Sequence, residues 1–429
     1  MNSAPAQSAR AVDWLTNVRP GWPTTTLGRV GRFHMGTTFP HAYQGATQGD
    51  LPFIKVSDFP RADRLGVISG ANNWVDRQTA RRLGARIVPR GSILYARVGA
   101  ALLLNQRCIT GRTCIVDDNV RAFEPKHGDP RYWRYLMLLL DMAKITNPGP
   151  VPSVSERQVA ALPVPLPPVE EQRHIADFLD AETARIDRLA QLRSRQADVL
   201  EERCRLALDQ AFEKPTYQST RLKYLLAVKP RYGVLVPQFS DTGVRFIRVN
   251  DLLDLSGRAD SLARIPDELS AQYSRTITRP GDVLLSVVGT MGRSAIVPPQ
   301  LAGANVARAV ASLRPRQGVP PELVATWLTT PSFLRQASDA TGSDTAQPTL
   351  GMEDLSNFRL SWPVDARDRV DLTHNASVIR QHQRELNRAL QEQREVLAER
   401  RQALITAAVT GQFDISTASG RNVTDGVTA

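Results

Sequence analysis

The chain has 429 residues, of which 42% are apolar and 23% are charged, a composition that excludes a fully disordered protein. Its length is typical of two or three domains and excludes a single small module. The longest purely aliphatic run, residues 136–140, is far shorter than the roughly 18 apolar residues of a membrane-spanning helix. The first residues also lack a basic segment followed by an apolar one, so we expect a cytoplasmic protein without a membrane partner.

Positive charge is concentrated in the first part of the chain. The formal net charge is +11, and residues 1–168 contain 21 basic and 11 acidic residues. Arginine supplies 48 of the 54 basic residues. This preference has two open explanations, because arginine suits phosphate and guanine edges but is also favoured by a genome rich in G and C.

The first segment, residues 1–168, has the pattern of a mixed α+β domain. Short apolar runs bounded by turn-forming residues predict strands at 53–56 and 92–95, and a helix is predicted at 133–143. The run PLPP at residues 165–168 is expected to end this domain.

Residues 169–214 predict one long helix. Glu170 and Glu171 place negative charge at its start, and Lys214-Pro215 ends it. Its apolar residues form a heptad-like seam that includes Ile175, Leu179, Ile186, Leu192, Val199 and Leu206.

The rest of the chain repeats this organisation. Three segments return at offsets between 190 and 197 residues: 53–58 as 246–251, 90–94 as 280–284, and 199–203 as 396–400. The first copy has about nine extra residues around 101–109, which we expect in a loop. The repeat predicts two similar domains in one chain.

The second copy, residues 215–364, is again predicted as a mixed domain, with strands at 283–286 and 295–297 and a helix at 323–334. Asp365 is the expected N-cap of a second long helix over 365–412, and residues 413–429 are expected to form a flexible tail. The seam of this helix includes Ile379, Leu386, Leu397 and Leu404. Each long helix could lie on its own domain, but two such stripes favour an antiparallel coiled coil that separates the domains.

Catalytic signatures are absent from the sequence. It has no Gly-Lys dipeptide of a phosphate-binding loop, no (N/D)PP(Y/F) element of an amino-methyltransferase and no HExxH or GxSxG string. The three cysteines, Cys108, Cys114 and Cys204, show no CxxC spacing. We therefore expect a non-catalytic protein without a metal or cofactor.

Two similar basic domains on a rigid spacer would suit a long linear target, and double-stranded DNA fits both the geometry and the charge. The glycine-punctuated loops at residues 95–99 and 289–294 follow predicted strands and carry arginine, although each could be a tight hairpin with an exposed arginine. The candidate DNA-binding residues are Tyr95, Arg97, Asn105, Arg112, Ser286, Thr290, Arg293 and Asn305. The matched pairs Lys55/Arg248 and Asp58/Asp251 could simply cap strands.

Several motifs resemble the specificity (S) subunit of type I restriction-modification systems. They are LPPVEEQRHIADFLD at residues 166–180 with TARID at 183–187, LAERRQALITAAVTGQ at 397–412, the GDVLL and GTMG strings at 281–285 and 289–292, and the opening at 14–27. The resemblance covers about residues 13–415. Two positions depart from the pattern: Ser92 stands where the second copy has Asp282, and the second helix begins with DARD at 365–368.

The resemblance implies an α+β protein with two similar target recognition domains separated by two long antiparallel coiled-coil helices. Each domain would read half of a bipartite DNA site. The helices would set the spacing between the two half-sites and dock two methyltransferase subunits. A restriction motor-nuclease subunit could join that assembly. The alternatives are a two-domain coiled-coil adaptor that binds proteins without DNA specificity, and an enzyme with an unrecognised site.

Overall fold

The computed structural model describes residues 17–147, 150–289, 291–342 and 349–412. The chain forms two compact units. Unit 1 comprises Met1–Leu192 and Gln393–Ala429, and unit 2 comprises Arg193–Glu392. Each unit therefore contains one mixed α+β domain together with a part of each long helix.

The mixed domain of unit 1 contains three small sheets. One is five-stranded, in the order β2-β9-β6-β7-β4, one is three-stranded, in the order β5-β3-β8, and β1 pairs with β10. The strands are β1 (Thr24–Thr26), β2 (Gly31–Met35), β3 (Leu51–Ile54), β4 (Val67–Ile68), β5 (Asn73–Val75), β6 (Ile93–Ala96), β7 (Cys108–Thr110), β8 (Ile115–Val116), β9 (Val120–Pro125) and β10 (Pro163–Pro165). All four residues of β6 are buried, which explains its unbroken apolar sequence.

Five short helices complete this domain: α1 (Leu27–Val30), α2 (Arg77–Arg82), α3 (Ala100–Leu103), α4 (Pro130–Leu139) and α5 (Glu156–Ala160). Helix α4 begins three residues earlier than the helix predicted at 133–143, because Pro130 suits the first turn and Asp129 caps the backbone N–H of Arg131. It ends at Leu139, and a 3₁₀ turn covers Met142–Ile145. The extra residues predicted around 101–109 lie mostly in the connection between β6 and β7, where the four-residue helix α3 forms and buries Leu102.

The mixed domain of unit 2 repeats the sheet topology. Its sheets have the orders β12-β18-β15-β16, β14-β13-β17 and β11-β19. The strands are β11 (Gln218–Arg221), β12 (Arg231–Tyr232), β13 (Val244–Ile247), β14 (Ala263–Ile265), β15 (Val283–Ser286), β16 (Ser294–Ile296), β17 (Asn305–Val306), β18 (Val310–Leu313) and β19 (Arg359–Trp362). The middle strand of each three-stranded sheet has one antiparallel and one parallel neighbour in both units. Strand β4 has no counterpart among the described residues of unit 2.

The short helices of unit 2 are α7 (Leu222–Leu225), α8 (Asp267–Gln272), α9 (Pro321–Trp327), α10 (Pro331–Thr341) and α11 (Met352–Asn357). The single helix predicted at 323–334 is wrong, since α9 and α10 are separate. The reason is local: Pro331 has no backbone N–H and occupies the first turn of α10, which Thr330 caps.

The two long helices are α6 (Val169–Ala211) and α12 (Ala366–Thr410). Helix α6 starts directly after Pro168, and the carboxylate of Asp365 accepts a 2.9 Å hydrogen bond from the backbone N–H of Arg367 at the start of α12. Gly411, with φ +71°, follows the last residue of α12, and this left-handed conformation suits glycine. The expected tail at 413–429 lies outside the described residues.

Segments of α6 and α12 pack on one another within each unit. In unit 1, the side chain of Arg401 on α12 donates a hydrogen bond to Asp187 on α6. Arg19 links the other ends of these segments, because its side chain donates to Glu171 and its backbone N–H donates to the backbone oxygen of Thr410. Because position 171 lies near 410 and 187 near 401, the helix segments there run antiparallel. In unit 2, Cys204 and Leu208 form a small core with Ala376. The expected α+β class, with two similar domains and two long packed helices, is confirmed.

No helix among the described residues is long and apolar enough to cross a membrane.

Candidate nucleic-acid interface

The loop after β6 holds Arg97 half-exposed. Its Nε donates a 2.8 Å hydrogen bond to the backbone oxygen of Asp118, and a guanidinium nitrogen lies 3.3 Å from the carboxylate of the same residue. Gly99, with φ +75°, then turns the chain into α3. The guanidinium is oriented by these bonds and still has 30% of the side chain exposed, so it has donors left for an anionic ligand.

Arg112 is the most exposed of the candidate side chains in unit 1. Its guanidinium lies 5.0 Å from the centre of the Trp74 ring, and one nitrogen is 3.5 Å from the backbone oxygen of Asp50. An arginine stacked on an aromatic face is pre-oriented while its other donors face solvent. Sequence reasoning did not find Trp74 or Asp118, because each supports an arginine from a distant part of the chain.

Tyr95 is buried and lacks the exposure that a direct contact with a base needs. Its side chain is 1% exposed, and its hydroxyl has no partner in the described structure. The Arg107 guanidinium lies 5.8 Å from the Tyr95 ring and is itself buried. Burial raises the pKa of Tyr95 and lowers the pKa of Arg107 to about 10.

Asn105 fixes the turn after α3. It has φ +52°, the left-handed region, and its side-chain nitrogen donates a 2.8 Å hydrogen bond to the backbone oxygen of Leu138. Its side-chain oxygen accepts a 2.5 Å hydrogen bond from Arg107. Both side-chain atoms of Asn105 are therefore committed to internal bonds, which favours a structural role.

In the corresponding loop of unit 2, the candidate residues lie in different environments. Ser286 at the end of β15 is completely buried, and Thr290 lies outside the described residues. Arg293 is half-buried and lines a cleft of about 520 Å³. Asn305 is also completely buried, on β17, where its side-chain nitrogen lies 3.5 Å from the backbone oxygen of Ser270. Ser286 and Asn305 therefore lack the exposure that a base contact needs.

The residues of the matched pairs Lys55/Arg248 and Asp58/Asp251 have the same local roles in both units. The carboxylates of Asp58 and Asp251 accept 2.9 Å hydrogen bonds from the backbone N–H of Lys55 and of Arg248. In each unit these residues begin a 3₁₀ turn after the middle strand of the three-stranded sheet. The capping interpretation therefore accounts for these residues.

The predicted helix seams divide into buried and exposed parts. In unit 1, Ile175, Leu179, Ile186 and Leu404 are buried in the main core, with Leu397 packed against it. In unit 2, Ile379 packs against Cys204 and Leu208, and Leu386 is half-buried. The remaining seam residues are exposed apolar side chains on α6: Leu192 (49%), Val199 (53%) and Leu206 (45%).

The described residues contain no group of three or more His, Cys, Asp or Glu side chains that could hold a metal ion.

Comparison with known proteins finds similarity to DNA specificity subunits. Residues 20–195 match the family model described as the type I restriction modification DNA specificity domain. The type I restriction enzyme EcoBI specificity subunit of Escherichia coli is 26% identical over 390 residues, which span 82% of this chain and 78% of that subunit. These findings confirm the resemblance to type I specificity subunits.

Solved structures of type I systems are similar to the chain over most of its length. A chain from a study of complex assembly and conformational transition of the type I R-M system aligns with a TM-score of 0.63 at 19% identity, over 92% of this chain and 99% of that chain. This likeness shows a shared fold. The HsdS subunit from Thermoanaerobacter tengcongensis aligns over 92% of this chain and 98% of its own at 21% identity, with a TM-score of 0.46.

Proposed function

We propose that this chain, a member of the type I restriction-modification specificity family, selects the DNA sites at which a methyltransferase complex acts. Each mixed domain reads one half of a bipartite site in double-stranded DNA. The two long helices set the distance between the half-sites and dock two methyltransferase subunits. The chain itself performs no catalysis, and a restriction motor-nuclease subunit can join the assembly.

The duplicated sheet topology is the observation that carries this proposal. In each unit the middle strand of a three-stranded sheet has one antiparallel and one parallel neighbour. The strand order β2-β9-β6-β7 in the larger sheet of unit 1 corresponds to β12-β18-β15-β16 in unit 2. Two domains of one design with different surface side chains suit a target whose two halves differ in sequence. Both domains offer an arginine beside the equivalent strands β7 and β16, although Arg112 follows β7 and Arg293 precedes β16.

The candidate contacts can now be ranked by exposure. Arg97, Arg112 and Arg293 keep free guanidinium donors at or near the surface, and arginine is the side chain that most often reads guanine or binds phosphate. Tyr95, Ser286 and Asn305 are buried and Asn105 is internally bonded, so we assign these four a supporting role.

The proposed docking of methyltransferase subunits is supported by the exposed apolar side chains of α6. Val199 and Leu206 of unit 2 are seven residues apart, so they lie on one face of α6, and Leu192 is an exposed apolar residue of α6 in unit 1. Burying them against a partner would contribute favourably, at about 25 cal/mol for each Å² of apolar surface removed from water.

The test is to sequence DNA modification in cells that contain the methyltransferase subunit with this chain, without it, or with an Arg112→Ala/Arg293→Ala variant. We expect a split methylated motif that appears only with the chain and weakens in the variant. An Arg173→Ala variant, which changes an exposed arginine on α6, is the matched control and should leave the motif intact. If a folded, assembled complex shows no chain-dependent motif, the proposal is wrong and the chain is a protein-binding adaptor.

A further inference from the structure

A cleft in unit 2 is lined by an unusual number of arginines. Its volume is about 520 Å³, and its lining includes Arg205 from α6, Arg293 from the loop after β15, and Arg380 and Arg384 from α12. Glu201, which also lines the cleft, is already paired with Arg205. Arg293, Arg380 and Arg384 have no carboxylate paired with them anywhere in the described part of the chain.

Arg380 is the most enclosed of the three. One of its guanidinium nitrogens lies 3.3 Å from the hydroxyl of Thr329, an uncharged partner. Burial lowers the pKa of Arg380, and the neighbouring positive charge of Arg384 lowers it further. A half-buried guanidinium beside a second one is electrostatically costly unless an anion compensates the charge.

The equivalent place in unit 1 is neutralised within the chain. The repeat of the long helices has an offset of 197 residues, so Thr183 corresponds to Arg380 and Asp187 corresponds to Arg384. The hydroxyl of Thr183 lies 3.1 Å from that of Tyr135, and Asp187 pairs with Arg401 at 3.0 Å. The residue of unit 2 that corresponds to Arg401 is Cys204, which supplies no charge.

Other residues that differ between the two copies also leave unit 2 with fewer acidic side chains on its long helix than unit 1. Asp177 and Asp180, which pair with Arg131 in unit 1, correspond to His374 and Ser377 on α12. The equivalent of Arg131 is Glu322, given that Pro130 and Pro321 both begin their helices. Glu322 lines an adjoining cavity of about 200 Å³ with Arg380 and Arg384, but lies beyond ion-pairing distance of both.

The cavity in unit 2 coincides with the replacement of an aromatic residue of unit 1 by a smaller one. By the same alignment of α4 with α9, Tyr135 corresponds to Thr326, whose much smaller side chain bonds the backbone oxygen of Glu322. Where unit 1 places an aromatic ring against α6, unit 2 therefore has a cavity that Thr326 and Arg380 line together.

We propose that the cleft formed by Arg293, Arg380 and Arg384 binds a phosphate group. Three guanidinium groups without carboxylate partners provide the planar, forked donors that suit phosphate oxygens. The phosphate belongs either to the backbone of a bound duplex or to free inorganic phosphate or a phosphorylated small molecule. Binding of phosphate by this cleft does not depend on the proposed function. Only the assignment of the phosphate to a DNA backbone rests on that function.

The test measures two ligands on the full-length chain. Inorganic phosphate is titrated by calorimetry at constant ionic strength, and a mixed-sequence duplex is titrated at several salt concentrations. The variants are Arg380→Gln and Arg384→Gln, and the control is Arg388→Gln, which lies on the same helix with 83% of its side chain exposed. Since Arg384 is exposed, its variant is expected to fold even if Arg380→Gln does not.

A double variant, Arg380→Thr/Arg384→Asp, installs the residues of unit 1 and serves as a second loss-of-binding variant. Circular dichroism and a cooperative thermal transition check that each protein is folded.

We expect Arg380→Gln and Arg384→Gln each to weaken binding of the true ligand about ten- to a hundredfold, because each removes hydrogen bonds from a charged donor to a charged acceptor. Arg388→Gln should change it less than about twofold. Loss confined to inorganic phosphate identifies a small-molecule source, while loss of duplex affinity with a salt slope reduced by about one identifies a backbone phosphate. If neither ligand depends on Arg380 or Arg384, or if Arg388→Gln weakens binding equally, the proposal is wrong.

Discussion

Asp282 and Arg314 form a buried, two-pronged ion pair in unit 2. Two guanidinium nitrogens of Arg314 lie 2.8 Å from the two carboxylate oxygens of Asp282, and one of these oxygens also accepts a 2.8 Å hydrogen bond from the backbone N–H of Arg279. Asp282 is 1% exposed, and its hydrogen bonds raise the pKa of Arg314. The equivalent residue of unit 1 is Ser92, which is also completely buried and bonds the backbone oxygen of Pro89.

Replacing Asp282 by Asn should strongly destabilise unit 2. The variant keeps the shape but leaves Arg314 without its compensating charge, so we expect the free energy of unfolding to fall by about 3 kcal/mol. Urea denaturation measures the change. The control is Asp260→Asn, whose carboxylate is 99% exposed and should alter stability by less than about 0.5 kcal/mol. A similar small change for both variants would contradict the structural importance of the Asp282 pair.

Arg97→Ala and Arg293→Ala should each weaken binding to the cognate duplex. We expect a loss of about 1–3 kcal/mol where the guanidinium reads a base, with relaxed specificity at that position. A phosphate contact would instead weaken binding to all sequences and lower the salt slope by about one. Fluorescence anisotropy with cognate and scrambled duplexes separates these outcomes, with Arg173→Ala as the control. Unchanged affinity for both variants would exclude these two loops from the interface.

Four residues inserted between Gln196 and Ala197 should change the spacing of the half-sites or prevent assembly. The insertion lengthens α6 by about one turn, or about 6 Å, and rotates the following residues relative to the preceding ones. Modification-sensitive sequencing reports the spacing of the methylated motif. Four residues added after Gln412, beyond the end of α12, provide a control of equal length. A motif with unchanged spacing in the α6 variant would show that the helix does not set the distance.

Stability should fall above pH 9 because of the buried thiols of unit 1. Burial raises the pKa of Cys108 to about 11 and that of Cys114 to about 12, from an ordinary value of 9.0. Between pH 9 and the raised pKa of each thiol, the unfolded chain loses a thiol proton that the folded chain retains, so rising pH favours unfolding.

The expected slope is about 1.4 kcal/mol per pH unit for each thiol within its window. Urea denaturation of the wild type and of Cys108→Ala/Cys114→Ala between pH 8 and 11 tests this, because the double variant should show a shallower decline. Equal slopes for the two proteins would assign the pH dependence to other groups.

The architecture, with two copies of one α+β domain and two long helices, was predictable from the amino-acid sequence. These features depend on local signals, since an apolar periodicity runs along α6 and α12, which are 43 and 45 residues long, and their ends are set by Pro168, Asp365 and Gly411. Even the break between α9 and α10 had a local signal in Pro331, although the apolar run around it favoured one helix.

Which polar side chains are available to a ligand depends on the packing of the folded chain, and the sequence did not reveal it. Tyr95, Ser286 and Asn305 have the chemistry of base readers, but strands distant in sequence bury them. The sequence also did not show that Arg380 and Arg384 lack a carboxylate partner within the described residues, because the partners of an arginine on a helix depend on the elements that face it. Charge and hydrogen-bonding capacity are properties of each residue type. The exposure of a side chain, and the presence of an opposite charge beside it, depend on neighbours that are brought together only when the chain folds.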